Sequence, residues 1–154
     1  MMKRGLTFEI PNKYGNYLAE ILKPIDLTKY SWCIGDGESY KVVKHQLDEV
    51  LFSEELLDGE ELKSRLEKYP YYIIFTDLKA YPKGEEISLI ETYSDFKKSN
   101  CELVLLVVDS SYTTIYCKDP EVTDALYKNA IKCGFEKVHY ITEENDGRTR
   151  LIAF

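Results

Sequence analysis

The sequence predicts an α+β fold: a mostly antiparallel or mixed β-sheet with about three to four helices packed mainly on one face. Two nearly continuous apolar runs, residues 71–76 and 103–108, are typical of strands buried at the centre of a sheet. Tight turns join several predicted strands, which favours antiparallel neighbours over a doubly wound arrangement. With 154 residues and no linker-like stretch, the chain is expected to form a single domain over residues 1–154.

The elements of the first third are predicted from periodicity and turn residues. Residues 3–10 are expected to form a strand, and Asn12 is expected to cap a helix. The apolar face of that helix has helical spacing and comprises Tyr14, Tyr17, Leu18, Ile21 and Leu22. Two strands, residues 30–34 and 39–44, are predicted to form a hairpin around Gly35-Asp36-Gly37, because Asp-Gly readily adopts the positive φ angles of a tight turn.

The middle of the chain contains two short helices by the same reasoning. Asp58 and Glu61 match a capping box and predict a helix directly after residue 58. A second short helix near residues 93–98 is expected between the two apolar strands, preceded by a short strand near residues 87–90.

The last third begins with a predicted strand over residues 112–118. Asp119 and Pro120 then provide a strong helix start, and Gly134 a helix end. Residues 137–142 and 149–154 are predicted to form a final hairpin around Asn145-Asp146-Gly147.

Composition excludes several classes of function. The net charge is −7, and the basic residues are scattered, which argues against nucleic acid and anionic membranes as partners. No apolar run is long enough to span a bilayer, and the first residues lack the apolar core of a signal peptide, so a cytoplasmic location is expected. No cofactor-binding or nucleotide-binding motif occurs, and the four cysteines contain no C-x-x-C pair, so neither a cofactor nor a metal is expected.

Several stretches resemble a known family. They are KRGLTFEIPN (residues 3–12), DLKAYP (residues 77–82), ELVLLVVD (residues 102–109) and residues 142–151, which contain Arg148-Thr149-Arg150. The chain resembles, over its full length, a family of small uncharacterised proteins of Bacillus-type Gram-positive bacteria, a domain of unknown function. The resemblance implies a cytoplasmic bacterial protein and assigns no active-site residues.

Asp77 and Asp109 are the candidate catalytic residues, because each follows an apolar strand at its carboxyl end. If the two strands were parallel neighbours, the carboxylates would converge on a metal or share a proton. The alternative is that each aspartate begins a turn and bonds its own backbone, which we favour because no histidine or third acid accompanies the pair.

The strongest local signal is acidity. Residues 48–67 contain eight acidic and two basic residues, a net charge of −6. This segment is either a solvated face that maintains solubility or a docking site for a cationic protein. The candidate partner-binding residues are Asp48, Glu49, Glu54, Glu55, Asp58, Glu60 and Glu61, together with Tyr69 and Tyr81 as interface anchors among 13 tyrosines.

Three hypotheses follow. The first, which we favour, is a non-enzymatic acidic protein-binding module, concretely an immunity-type inhibitor of a basic toxin. The second is a small enzyme or ligand-binding protein with a carboxylate cleft at Asp77 and Asp109. The third is a homo-oligomer that associates through an exposed edge strand such as the C-terminal one.

Overall fold

The structure, a computed structural model, describes residues 2–153 and confirms the predicted α+β class. Nine strands form one sheet in this part of the chain, with four helices against it. The strands are β1 (Lys3–Glu9), β2 (Tyr30–Ile34), β3 (Glu38–Val43), β4 (Gln46–Val50), β5 (Leu56–Asp58), β6 (Tyr71–Pro82), β7 (Leu103–Val108), β8 (Tyr112–Cys117) and β9 (Glu136–Thr142). The helices are α1 (Tyr17–Ile21), α2 (Gly59–Lys68), α3 (Tyr93–Lys98) and α4 (Pro120–Lys132).

Every strand pairing in the sheet is antiparallel. The main order is β4-β3-β6-β7-β8-β1-β9, so β9 forms one outer edge. The long strand β6 has two partners along the edge that faces away from β7. Strand β2 pairs with its second half and β3 with its first half. The short strand β5 then pairs with the outer side of β2.

The sheet separates two apolar cores. Helices α1, α2 and α4 cover one face, where buried residues such as Leu18, Leu66 and Leu126 pack with Leu105 and Trp32. On the opposite face, α3 and the C-terminal segment cover a smaller cluster that comprises Tyr81, Ile90, Phe96, Cys101, Val104, Leu106, Tyr116 and Leu151. The helices therefore lie mainly on one face, as predicted, with α3 on the other.

The predicted helix boundaries hold where side chains cap the backbone. The Asp119 carboxylate accepts a hydrogen bond from the backbone N–H of Glu121, and α4 ends before Gly134, which has a φ of 79°. Asp58 caps α2 in the same way. In α3, Thr92 and Asp95 form a complete capping box.

The predicted hairpin at Gly35-Asp36-Gly37 is wrong. Strands β2 and β3 both run antiparallel to β6, one after the other, so the chain continues in the same direction instead of reversing. Ile34 pairs with Leu78 and Glu38 with Phe75, which leaves three residues on this side opposite two on β6. The segment is therefore a β-bulge, because one extra residue is accommodated within a continuous edge.

The first helix begins later than predicted. Gly15 exchanges two backbone hydrogen bonds with Tyr71 in an isolated β-bridge, which keeps residue 15 out of the helix. The cap position is Asn16, not Asn12, and its side-chain amide donates to the carbonyls of Leu66 and Tyr69. Helix α1 is consequently only five residues long.

Two predicted strands are irregular in the structure. Residues 87–90 form no ladder, and the carbonyl of Ser88 accepts a hydrogen bond from the Tyr81 hydroxyl at 2.7 Å instead. The described part of the predicted strand at 149–154 is also irregular, so the final hairpin is wrong; residue 154 lies outside the described residues. Leu151 donates its backbone N–H to the carbonyl of Glu91, which places the C-terminal segment beside the loop before α3.

Candidate functional site

The bulge between β2 and β3 requires glycine at two positions. The backbone N–H of Gly35 donates to the carbonyl of Asp77 at 2.8 Å. A Cβ atom at Gly35 would lie 2.5 Å from Cγ of Asp77, and one at Gly37 would lie 2.7 Å from the carbonyl oxygen of Phe75. Only glycine allows this close approach of the two chains. The bulge in turn separates two cavities.

The large cavity has a volume of about 580 Å³ and lies on the face that carries α3. Its floor is formed by Cys33 of β2 and by Asp77, Lys79 and Tyr81 of β6. These β6 residues alternate with Leu78 and Ala80, which belong to the helix-covered core, so they point to the opposite face. Residues 87–90 and the C-terminal segment form the walls. Its volume lies within the range of small-molecule sites.

An ion pair lies on the floor of the large cavity. Nζ of Lys79 donates to Oδ1 of Asp77 at 2.6 Å, and both side chains are largely buried, with 11% and 4% of their surface exposed. Burial raises the pKa of Asp77 above its ordinary value, while the charge and hydrogen bond of Lys79 act in the opposite direction. Ionisable pairs of this kind in a cleft are concentrated at functional sites.

The small cavity, about 280 Å³, lies on the other side of the bulge, where the partners of β6 diverge. It is lined by the bulge itself, by Val50 at the end of β4, and by the loop from Phe52 to Glu55 that leads into β5. Asp36 and Glu55 line both cavities. The two cavities are therefore adjacent and share an acidic margin.

Part of the acidic segment is neutralised within the fold. Arg65 of α2 forms a bidentate ion pair with Glu54, with both N···O distances 2.6 Å, and a further ion pair with Glu61. The Arg65 side chain lowers the pKa of Glu54 to about 2. Asp58 pairs with Lys83 at 3.0 Å. These three carboxylates therefore already have basic partners within the fold.

The remaining acids form an exposed surface. Asp36, Asp48 and Glu55 make no ion pair with any residue that the structure describes, and Glu49 is 3.9 Å from Lys41. Every residue of β4 is exposed, and its apolar residues Leu47 and Val50 lie among these carboxylates. We define the acidic surface as Asp36, Glu38, Leu47, Asp48, Glu49, Val50 and Glu55. Glu60, also exposed, lies on α2 outside it.

The two predicted tyrosine anchors, Tyr69 and Tyr81, differ in their exposure to solvent. Tyr69 is exposed at the end of α2, with 44% of its surface accessible. Tyr81 is 1% exposed and belongs to the core beside α3, so it is not available to a partner. Tyr81 was expected in a loop, but β6 continues through it to Pro82.

The structure does not bring Asp77 and Asp109 together. Strands β6 and β7 are antiparallel, not parallel, and Asp77 pairs with Leu106. Asp109 lies three residues further along, about 10 Å away at ordinary strand spacing. It is exposed in the turn between β7 and β8, where Asp109 and Ser110 have φ angles of 51° and 67°, as in a type I′ turn. The large cavity therefore contains Asp77 but not Asp109.

Other reactive groups are dispersed. Burial raises the pKa of all four thiols, and that of Cys101 reaches about 12, which disfavours the nucleophilic thiolate. The ring of His45 contacts the hydroxyl of Tyr14 at 2.8 Å, and His139 is exposed on β9. Within residues 2–153, no three His, Cys, Asp or Glu side chains are grouped so as to hold a metal ion.

Comparison with known proteins agrees with the resemblance found in the sequence. Residues 3–152 match the profile of a family described as "Protein of unknown function (DUF2691)". The chain belongs to this family. A DUF2691 relative, the "Uncharacterized protein YncE" of Bacillus subtilis (strain 168), is 47% identical over 152 residues, which cover 97% of this chain and 99% of the relative. No solved structure gives a significant match.

The helices that the structure describes are short. The longest described helix, α4, has 13 residues, and none of the helices in residues 2–153 combines the length and the apolar character of a membrane span.

The two basic residues of the large cavity were not predicted. Lys79 has a signal in hindsight: it is the only lysine in β6 and stands two positions after Asp77, so the two side chains share one face of the strand. Arg150 carries no such signal, because it reaches the cavity only through the irregular path of the C-terminal segment.

Proposed function

We propose that this DUF2691 protein is a non-enzymatic protein-binding module that binds a basic protein through its acidic surface. The observation that supports it is the exposed strand β4, in which Leu47 and Val50 stand among carboxylates without strong internal partners. Exposed apolar residues bordered by polar ones are typical of interaction sites. Unpaired carboxylates attract a cationic partner and increase its rate of association.

An immunity-type inhibitor of a basic toxin is the specific version that we favour. A toxin that acts on nucleic acid needs a positively charged groove, and an acidic surface of this kind would cover it. The second hypothesis, an enzyme with Asp77 and Asp109 in one site, has less support because the two residues lie apart in the fold.

The test is affinity capture from a lysate of the producing organism with the full chain as bait. A surface variant, Asp36→Asn/Asp48→Asn/Glu55→Gln, removes three charges from the acidic surface. A matched control, Glu85→Gln/Glu136→Gln/Glu144→Gln, removes three charges from exposed positions elsewhere. We expect wild type and control to capture the same basic protein, and the surface variant to capture about tenfold less of it, since each buried or partly buried charge pair contributes to affinity.

Three further results decide the proposal. Capture should weaken when the salt concentration is raised, because exposed charge pairs are screened. The captured protein, if it is a toxin, should lose its activity in the presence of wild type and retain it with the surface variant. Recovery of the bait alone, or equal capture by the surface variant and the control, would contradict the proposal.

A further inference from the structure

The ammonium group of Lys79 has unused hydrogen-bond donors at the floor of the large cavity. An ammonium carries three N–H donors, and Asp77 is its only hydrogen-bond acceptor among residues 2–153. The side chain is nevertheless largely buried. Since a buried charged group is costly unless its donors are satisfied, this position favours a ligand that brings an acceptor.

A second cation stands at the margin of the same cavity. Arg150 lies in the C-terminal wall, and its side chain is 61% exposed. Its one ion pair in the described part of the chain, with Glu91, has a long N···O distance of 3.9 Å. The guanidinium can therefore turn towards an anionic group above Lys79 at little cost, because a pair at that distance in solvent is weak.

Two carboxylates without internal ion pairs line the cavity as well. Asp36 belongs to the bulge and Glu55 to the loop before β5, and neither is within ion-pair distance of a basic group of residues 2–153. Because Asp77 is already neutralised by Lys79, these two exposed acids supply the net negative charge of the cavity. The lining thus offers cationic groups for an anion and anionic groups for a cation.

The remaining wall is apolar and exposed. Residues 87–90 cross the cavity in irregular structure, and Leu89 is 80% and Ile87 42% exposed. Ile90 and Ile152 continue this wall. A ligand with an apolar group would remove Leu89 and Ile87 from water, which stabilises the complex in proportion to the buried apolar area.

We propose that the large cavity binds a small zwitterion with an apolar side chain, which is the chemistry of a free apolar α-amino acid. Its carboxylate is bound by Lys79 and Arg150, its ammonium by Asp36 and Glu55, and its side chain by the wall of residues 87–90. The site differs from the proposed docking function, although Asp36 and Glu55 border both, so the two are tested with different ligands and variants.

The experiment is a titration of the full-length protein, followed by isothermal calorimetry and by backbone amide NMR. The probes are L-leucine, leucinamide, N-acetyl-leucine and glycine, which respectively keep all three groups, remove the carboxylate, remove the ammonium and remove the side chain. We expect leucine to bind saturably and to shift the amide resonances of Gly35 and Lys79. Each of the other three probes should bind about tenfold or more weakly, because a hydrogen-bonded charge or a buried side chain is lost.

Three variants at exposed positions test the assignment without risk to the fold. Arg150→Gln, Glu55→Gln and Leu89→Ser should each weaken leucine binding about fivefold or more, and a matched control, Lys98→Gln with Glu60→Gln, should leave it unchanged. Arg150→Gln and Leu89→Ser lie outside the acidic surface, so they should leave capture of a basic protein intact. A wild-type protein that binds leucine but captures no basic protein would contradict only the docking function.

Two results would overturn the inference. One is absence of leucine binding up to about 10 mM, which is weaker than any affinity that these contacts are expected to give. The other is binding of N-acetyl-leucine or leucinamide as tightly as leucine, because the ligand would then be a simple anion or cation and not a zwitterion.

Discussion

Gly35 directly follows β2, and its backbone N–H donates to the carbonyl of Asp77 in β6. A methyl group at this position would lie 2.5 Å from Cγ of Asp77, whose side chain is held by Lys79 and cannot easily move. We therefore expect Gly35→Ala to lower the free energy of unfolding by about 1–3 kcal/mol, as overpacking does in other proteins. Urea unfolding monitored by circular dichroism measures this. Gly147→Ala is the control, because a Cβ there has no heavy atom within 4 Å, and an equal loss in both variants would contradict the steric argument.

Asp109 has an unusual backbone conformation. Its φ of 51° is one that glycine adopts freely and that β-branched residues avoid. Asp109→Gly should change the free energy of unfolding by less than about 0.5 kcal/mol, and Asp109→Val should lower it by about 1–3 kcal/mol. Chemical denaturation of both variants tests this. A large loss in Asp109→Gly would mean that the carboxylate itself is needed.

At the scale of single residues, the sequence predicted which residues cap helices better than it predicted which side chains contact each other. Asp77 was expected at the end of a strand, where we favoured a turn, but β6 continues through Asp77 to Pro82. Its partner is Lys79, two residues further along the same strand, and Asp109 is not near it because β6 and β7 are antiparallel. Asp119, Pro120 and Gly134 were predicted correctly, because caps depend on local backbone chemistry alone.

The loop before β5 is attached to α2 through Glu54 and Arg65. The pKa of Glu54 is lowered to about 2 from an ordinary 4.5, so the pair contributes stability that is present above about pH 4.5 and is lost as the pH falls towards 2. We expect Glu54→Gln to be less stable than wild type by about 1 kcal/mol near pH 6, a value that allows for solvent screening of this partly exposed pair.

The measurement is the urea midpoint of wild type and Glu54→Gln from about pH 2 to pH 7. The difference between them should vanish at the acidic end. Glu60→Gln serves as control, because Glu60 forms no ion pair with residues 2–153, and its difference from wild type should not change with pH. A constant difference for Glu54→Gln would mean that the side chain acts through packing and not through charge.

Elements with a buried face were predicted, and those without one were missed. Strand β7 and the first half of β6 were identified because they are nearly continuous apolar runs, and β8 was also predicted, whereas the second half of β6, from Asp77 to Pro82, was not predicted as strand. Strand β4 has no buried residue, so its sequence lacks the alternation that indicates a strand. The bulge was taken for a hairpin because glycine and aspartate fit both, and only the pairing with β6 distinguishes them.

The two cores are on opposite faces of the same strands. Leu105 of β7 belongs to the helix-covered core, and its neighbours Val104 and Leu106 belong to the other. We therefore expect one cooperative unfolding transition, because neither core can be lost while β7 remains paired. Trp32, the single tryptophan, reports on the first core, and pulse labelling of the Cys101 thiol, resolved by mass spectrometry, reports on the second.

The midpoints of the two signals in urea should coincide. Leu18→Ala in the helix-covered core and Phe96→Ala in the other core should each shift both midpoints together. Exposure of Cys101 at a lower urea concentration than the change in Trp32 fluorescence would show instead that α3 and the C-terminal segment form a separate unit that opens first.

Fold class was predictable at the scale of the whole molecule, and strand order was not. Length, alternation and turns lead to an α+β domain with helices mainly on one face, as the structure has it. The order β4-β3-β6-β7-β8-β1-β9 depends on which edges meet across long stretches of chain, and local patterns do not encode that choice. The large cavity depends on it too, since its walls come from residues far apart in the chain.

The edge of β6 that pairs with both β2 and β3 also determines where the chain tolerates insertions and deletions. Adding or removing one residue between Ile34 and Glu38 would turn every side chain of β3 to the opposite face, because strand residues alternate with a period of two. Natural variants of this protein should therefore keep the number of residues in that segment constant. Between Lys83 and Glu86, where all residues are exposed and no ladder forms, chain length is expected to vary freely.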